Sequence, residues 1–250
     1  MLLPGDNHDR MRREPGRCAS LGDMIVGILG GTGPAGKALA ARLASVGLDV
    51  RIGSRSRERA EEVSAGLRSK WHGRNLLLSG VANEAAAEAD LVVLATPWDG
   101  AAPLARSLAR HLEGTVVVSM VNALAKVGDE LQALIPPSGS ITLAVQQAAP
   151  GALVAGAFHH LPARVLADLD RSLEADVLVC SDHSVATAAA IDLADRIPGC
   201  RGVNAGSFSA AAAVEAFTAV LVGINVTHRA HSSIKLTGFH PVGGDASAVT

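Results

Sequence analysis

The chain has 250 residues, 48% of them hydrophobic, and a formal net charge of −2. That length suffices for one sizeable α/β unit or a large domain with a small companion. The near-neutral charge argues against a protein that grips a phosphate backbone, so no nucleic-acid partner is expected.

Residues 1–23, rich in Asp, Arg, Gly and Pro, read as a flexible extension that is neither signal peptide nor anchor. From Met24 to Gly30 runs a continuous apolar stretch, as in a strand buried on both faces. Pro34–Val46 then reads as an Ala/Leu helix, Asp49–Gly53 as a second strand, and Arg57–Leu67 as a charged helix. Leu76–Gly80, Leu91–Ala95 and Thr115–Ser119 are the next strand candidates, with a helix over Ala101–Leu112. Strands alternating with helices across short connections imply βαβ units and a mostly parallel, Rossmann-type sheet.

Pro136, Pro137, Gly139 and Ser140 break this rhythm. A short helix and a Pro150–Gly151 turn follow, then strand candidates at Ala152–Phe158, Asp176–Val179 and Arg201–Ala205. Helices are expected over Val185–Arg196 and Ala210–Val226. The reading is a nucleotide-binding domain over 24–158 and a smaller C-terminal α+β part over 159–250, whose strands can extend the first sheet. Two apolar stretches, 141–163 and 207–227, are interrupted by Gln146, Gln147 and Pro150 and by Glu215 and Asn225. Neither supplies about 20 clean apolar residues, so no membrane span is expected.

Cys18, Cys180 and Cys200 are odd in number and form no C-x-x-C pair, which suits a reducing cytoplasm. The nine histidines show no metal-binding spacing, so no metal is expected. The chain contains no tyrosine, which removes every mechanism that uses a Tyr hydroxyl as proton donor.

Gly31, Gly33 and Gly36 form a G-x-G-x-x-G pattern. It gains meaning because it follows a predicted strand and opens a predicted helix. Gly31 is expected to permit the tight turn, Gly33 to let backbone approach a pyrophosphate, and Gly36 to let helix and strand pack closely. The helix N-terminus then offers free N–H groups and a positive dipole end to phosphates. Pro34 fits the first helical turn.

An NAD site places Asp or Glu at the end of the second strand, on the ribose 2′-hydroxyl. Here that place reads Gly53-Ser54-Arg55-Ser56-Arg57-Glu58-Arg59. Asp49 lies roughly 16 Å from Ser54 at strand rise and cannot substitute. Ser54, Arg55 and Arg59 instead offer donors to a 2′-phosphate, so the expected cofactor is NADP(H). The alternative is a solvated basic helix start paired with Glu58, Glu61 and Glu62.

Several blocks resemble the NADPH:coenzyme F420 oxidoreductases. They are Gly30-Gly31-Thr32-Gly33, Gly53-Ser54-Arg55, Thr96-Pro97-Trp98, Val118-Ser119-Met120-Val121-Asn122, Ala157-Phe158-His159-His160-Leu161-Pro162-Ala163, Asp176–Asp182 and Val214–Leu221 with Asn225. The resemblance implies hydride transfer between NADP(H) and the deazaflavin coenzyme F420, the two rings facing each other in a cleft beside the sheet. It implies that Thr32, Ser54, Arg55 and Arg59 hold the 2′-phosphate. Pro97, Trp98, Asn122, His159, His160 and Pro162 would then line the nicotinamide and deazaflavin site. His159 is the first candidate to donate a hydrogen bond to the deazaflavin as it is reduced, and His160 the second. A homodimer contact through the C-terminal part is implied as well. Departures from the family pattern cluster in that part, at His183, Ala210 and Asn225–Arg229.

For several residues the sequence leaves a structural role open. A histidine pair at a strand end also serves to satisfy backbone carbonyls, and Trp98 reads equally as an aromatic buried against the sheet. Val214, Phe217, Leu221 and Ile224 have helical spacing and read as core. Two other functions are compatible with the residues: an NADP-linked reductase of a flavin or a small imine or carbonyl, and an NADP(H) sensor without turnover. The chain's lysines are Lys37, Lys70, Lys126 and Lys235. None lies in 127–234, which weakens a hydroxyacid-dehydrogenase chemistry built on a mid-chain lysine.

Overall fold

In the computed structural model, which describes residues 24–238, the apolar run after Met24 forms β1 (Ile25–Leu29). α1 (Pro34–Ser45), β2 (Asp49–Ser54), α2 (Arg57–Lys70) and β3 (Leu78–Ala82) follow. A five-residue helix, α3 (Asn83–Ala87), leads into β4 (Leu91–Leu94), α4 (Trp98–Ser107) and β5 (Val116–Ser119). A hairpin of β6 (Leu124–Val127) and β7 (Glu130–Ala133) precedes α5 (Ile141–Ala148) and β8 (Leu153–Gly156). The chain continues with α6 (Ala163–Leu166), β9 (Ala175–Cys180), α7 (Ser184–Asp195), β10 (Cys200–Gly206) and α8 (Phe208–His228). The proposed extension 1–23 lies outside the described residues.

Eight strands join one sheet in the order β10-β9-β8-β5-β4-β1-β2-β3. From β3 through β8 every pairing is parallel; β9 then runs antiparallel to β8, and β10 parallel to β9. The later strands therefore extend the first sheet. Residues Leu91–Leu94 are buried throughout, the signature of a central parallel strand covered by helices on both faces. One face packs Leu39, Leu43 and Ile52 with Leu166 and Leu193; the other packs Leu94, Leu108 and Leu112 with Ile141 and Val154.

Strand order reverses between β1 and β4, since β2 and β3 stack outward on one side and β5 and β8 on the other. Loops leaving neighbouring strand ends diverge there and open a crevice at the carboxyl edge of the sheet. The loops after β1, β2, β4, β5 and β8 all leave from that edge.

Candidate active site

The crevice begins at the turn after β1. The left-handed residue is Gly30, with φ +68°, one position earlier than the glycine expected to shape the turn. A Cβ there would also meet the Thr96 side chain at 2.5 Å. Gly31 is required for closeness: a Cβ would lie 2.8 Å from the Ile28 carbonyl, and its N–H already bonds the Gly53 carbonyl at 3.1 Å. At Gly36 a Cβ would meet Gly31 Cα at 2.8 Å, so the closeness it permits is between helix and turn, where helix against strand was expected. Only at Gly33 is the space open, the nearest atom being 3.9 Å away, and it faces the mouth of the turn with half-buried Thr32.

α1 opens at Pro34 with no side chain capping it and no acidic residue in its first turn. The first intrahelical bond runs from Lys37 N to Gly33 O. The N–H groups of Ala35 and Gly36 thus lack an intrahelical acceptor and stand at the positive end of the helix. These residues fit the pyrophosphate of a dinucleotide: open backbone at Gly33 and unclaimed donors beyond it.

Ser54 ends β2 and Arg55 lies exposed beside it. Ser56 caps α2 by accepting from Arg59 N at 3.1 Å, and its own hydroxyl donates to Glu58. Arg57 pairs with Glu61 at 2.8 Å and Arg59 with Glu62 at 3.2 Å. The solvated pairing anticipated for this helix start is therefore present at Arg57 and Arg59. Exposed pairs of this type hold side chains only weakly, so Arg59 remains available to an anion. Arg55 has no hydrogen-bond or ion-pair partner among the described residues.

Across the crevice, β5 and β8 deliver Asn122 and His159. The Asn122 side-chain amide donates to the His159 carbonyl at 3.1 Å, and the Thr218 hydroxyl from α8 donates to the same carbonyl at 3.2 Å. Phe158 just before it takes φ +64°, a conformation that costs a bulky residue energy and is held here by the surrounding contacts. His159 is 5% exposed, and neither ring nitrogen has a partner among the described residues. Burial pushes its pKa down to about 3, with neighbouring His160 adding to the effect. The ring is consequently neutral, one nitrogen carrying a proton and the other a lone pair.

His160 takes the structural role left open in the sequence. Its Nε2 hydrogen-bonds the Val214 carbonyl at 2.6 Å and its ring meets Phe217 edge-on. Burial pushes its pKa down as well.

Ala35, Asn122, His159, His160 and Pro162 line one cavity of about 210 Å³, closed on the far side by Thr218 and Leu221 of α8. A larger one, about 390 Å³, lies beyond Pro162 against Arg171 and His231. None of the unpartnered buried polar atoms belongs to its wall. The smaller cavity is the one with unspent hydrogen-bonding capacity, at Asn122 Oδ1 and both His159 nitrogens.

The fold thus gathers the glycine turn, Asn122, His159, His160 and Pro162 around Ala35, the second residue of α1. Ser54, Arg55 and Arg59 stand at the outer corner beyond β1 and are not among the residues lining the 210 Å³ cavity at His159. Pro97 and Trp98 are exposed at the start of α4; Trp98, 39% exposed, is not the buried aromatic that one reading of the sequence offered. Two residues stood in the blocks that carry the resemblance but were given no role of their own. Thr96 Oγ1, just after β4, and Ser119 Oγ, at the end of β5, are buried without partners among the described residues. Their place in those blocks, at or just past a strand end, was the available signal, but a lone Ser or Thr has no spacing that assigns it a role. Of the stripe on α8, Val214 and Leu221 are core, whereas Phe217 and Ile224 are exposed.

Residues 25–123 match the family described as NADP oxidoreductase, coenzyme F420-dependent. The F420-dependent NADP reductase of Methanocaldococcus jannaschii is 36% identical over 220 residues, spanning 86% of this chain and 98% of that protein. The protein of the same name from Methanothermobacter marburgensis is 30% identical over 223 residues, 86% and 98% of the two chains. A crystal structure of an Arthrobacter protein shares the fold with a TM-score of 0.73 at 22% identity, covering 85% of this chain and 99% of that one. Glycine turn, strand order and near full-length similarity agree: the chain belongs to the F420-dependent NADP reductase family.

Proposed function

We propose that the chain transfers a hydride between NADP(H) and the deazaflavin coenzyme F420. The observation that carries this reading is a shared wall: Ala35 belongs both to the uncapped start of α1 and to the cavity holding the unpartnered nitrogens of His159. The two substrates supply the redox chemistry; the protein supplies distance and orientation. Gly33, Ala35 and Gly36 bind the pyrophosphate, while Thr32, Ser54, Arg55 and Arg59 bind the 2′-phosphate. Asn122 fixes the His159 backbone, and neutral His159 offers one N–H where charge accumulates. Pro97, Trp98, His160 and Pro162 complete the walls. In this reading residues 24–158 form the nucleotide-binding part and 159–250 complete the deazaflavin pocket.

A cytoplasmic homodimer is part of the same reading. Phe217, Val220 and Ile224 present an exposed apolar face on α8, and Cys180 and Cys200 are free thiols. Mixing purified protein with NADPH and oxidised F420 tests the reaction through deazaflavin absorbance. Bleaching with NADPH, and much slower bleaching with NADH, is expected. Tight NADPH binding with no acceptor reduced would favour a sensor, and reduction of a flavin in place of F420 a different acceptor.

A further inference from the structure

Arg42, in the last turn of α1, is 2% exposed, and its guanidinium is committed to backbone. Nε donates to the Leu166 carbonyl at 3.1 Å and Nη1 to that of Arg171 at 2.9 Å. Nη2 donates to the carbonyls of Val165 and Asp168 at 3.0 and 2.5 Å. These oxygens belong to the end of α6 and the loop after it; those of Val165 and Asp168 also accept from Asp168 N and Arg171 N, both at 3.2 Å, so Arg42 adds a second donor to a turn that already bonds itself. Arg74, from the loop between α2 and β3, holds the same loop from its exposed side. It donates to the Leu169 carbonyl at 3.1 Å and to the Asp170 carboxylate at 2.7 Å.

Both arginines come from the nucleotide-binding part, and the segment they hold continues directly from His159–Pro162. Pro162 and Ala163 in turn share the site cavity with Ala35. α1 therefore carries unclaimed N–H groups in its first turn and a four-carbonyl grip on the opposite wall in its last. A buried guanidinium is costly unless hydrogen-bonded, and an apolar side chain here would leave four carbonyls without this donor. A lysine offers a compact charge in place of the rigid fork that reaches several acceptors at once.

We propose that Arg42, seconded by Arg74, is a positioning residue for hydride transfer, holding the wall that carries His159 and Pro162 at a fixed distance from the dinucleotide helix. This rests on the reaction proposed above. The test compares wild type, Arg42→Lys, Arg42→Met and Arg74→Ala in the full chain by three readouts: NADPH affinity from fluorescence, steady-state F420 reduction, and amide exchange over 159–173. Misplacement by about 1 Å can cost about a hundredfold in rate. Arg42→Lys is accordingly expected to lower kcat about tenfold or more while NADPH affinity stays within about twofold. Amide exchange over 159–173 is expected to accelerate. Arg42→Met should go further in the same direction. If that variant does not fold, Arg42→Lys and Arg74→Ala decide, the latter with a smaller fall in kcat, about threefold, and faster exchange in the same segment.

A folded Arg42→Lys protein with wild-type kcat and exchange would overturn the proposal. So would NADPH affinity falling in proportion to kcat, which marks a role in α1 alone. Absence of F420 turnover in wild type would strike the proposed reaction instead. The grip would then stand or fall on exchange over 159–173, and unchanged exchange in Arg42→Lys would overturn it.

Discussion

Arg55 and His159, both proposed as site residues, differ in how much of their role the sequence carries. Arg55 is proposed from the sequence, where a strand end followed by Ser-Arg, with no Asp or Glu in place, favours a ribose that carries a phosphate. Replacing it by Ala is expected to weaken NADPH binding about tenfold, as loss of one charge-assisted hydrogen bond would, and to leave NADH binding unchanged. Fluorescence titration with both nucleotides checks this, and equal losses would remove the 2′-phosphate assignment. His159 was legible as a candidate, but its state was not. Only packing reveals that the ring is buried, neutral and without partners. Both His159 and His160 have lowered pKa values, so the unfolded chain binds more protons than the native one below about pH 6.5. Stability is therefore full above that pH and falls as pH drops toward 3. Urea denaturation at pH 7 and pH 5 should show wild type losing stability and His159→Asn losing less. An identical loss in both would contradict the buried neutral imidazole.

At the scale of elements, the alternation of long strands and helices was legible because each carries its own hydrophobic period. The third strand falls at Leu78–Ala82, two residues later than its composition suggested. α3 and α6, of five and four residues, are too short to display a helical repeat. The β6–β7 hairpin was missed because it forms its own two-stranded sheet, largely exposed, in which alternation has no buried face to record. Its turn signal, Gly128 with φ +61° before Asp129, was present in the sequence.

Glu215 illustrates what sequence cannot give at this scale. From the middle of α8 its carboxylate accepts from Ile141 N, Thr142 N and the Thr142 hydroxyl at 2.8–2.9 Å, fastening the start of α5. Burial pushes its pKa up, against the lowering effect of those hydrogen bonds. Glu215→Ala strands buried donors at a helix N-terminus. It is expected to cost about 1–3 kcal/mol of stability, measured by chemical denaturation; a change below that range would mean water replaces the carboxylate.

For the whole molecule, the reversal of strand order between β1 and β4 is the feature that turns separate motifs into one site. Loops distant in sequence, after β1, β4, β5 and β8, meet at one edge because parallel strands all end there. The parallel βαβ order was legible from the alternation alone; the antiparallel turn of β9 onto β8 was not, since one bridge at Gly156 and Cys180 leaves no pattern in sequence. Among the described helices α8 alone is long and apolar enough to cross a membrane, yet it packs on α5, β7 and β9 with Glu215 buried. Its exposed face is expected to close a dimer. Sedimentation should give twice the chain mass of 25.4 kDa, and Val220→Asp should yield monomers; a monomeric wild type would contradict that assembly.

Hydride is proposed to pass directly across the crevice, and isotopic transfer tests this without reference to any single residue. NADPH carrying deuterium at the transferable position of its nicotinamide should, with oxidised F420 and this protein in ordinary water, yield reduced F420 that retains the label. Label lost to solvent, or recovered in no deazaflavin product, would contradict it.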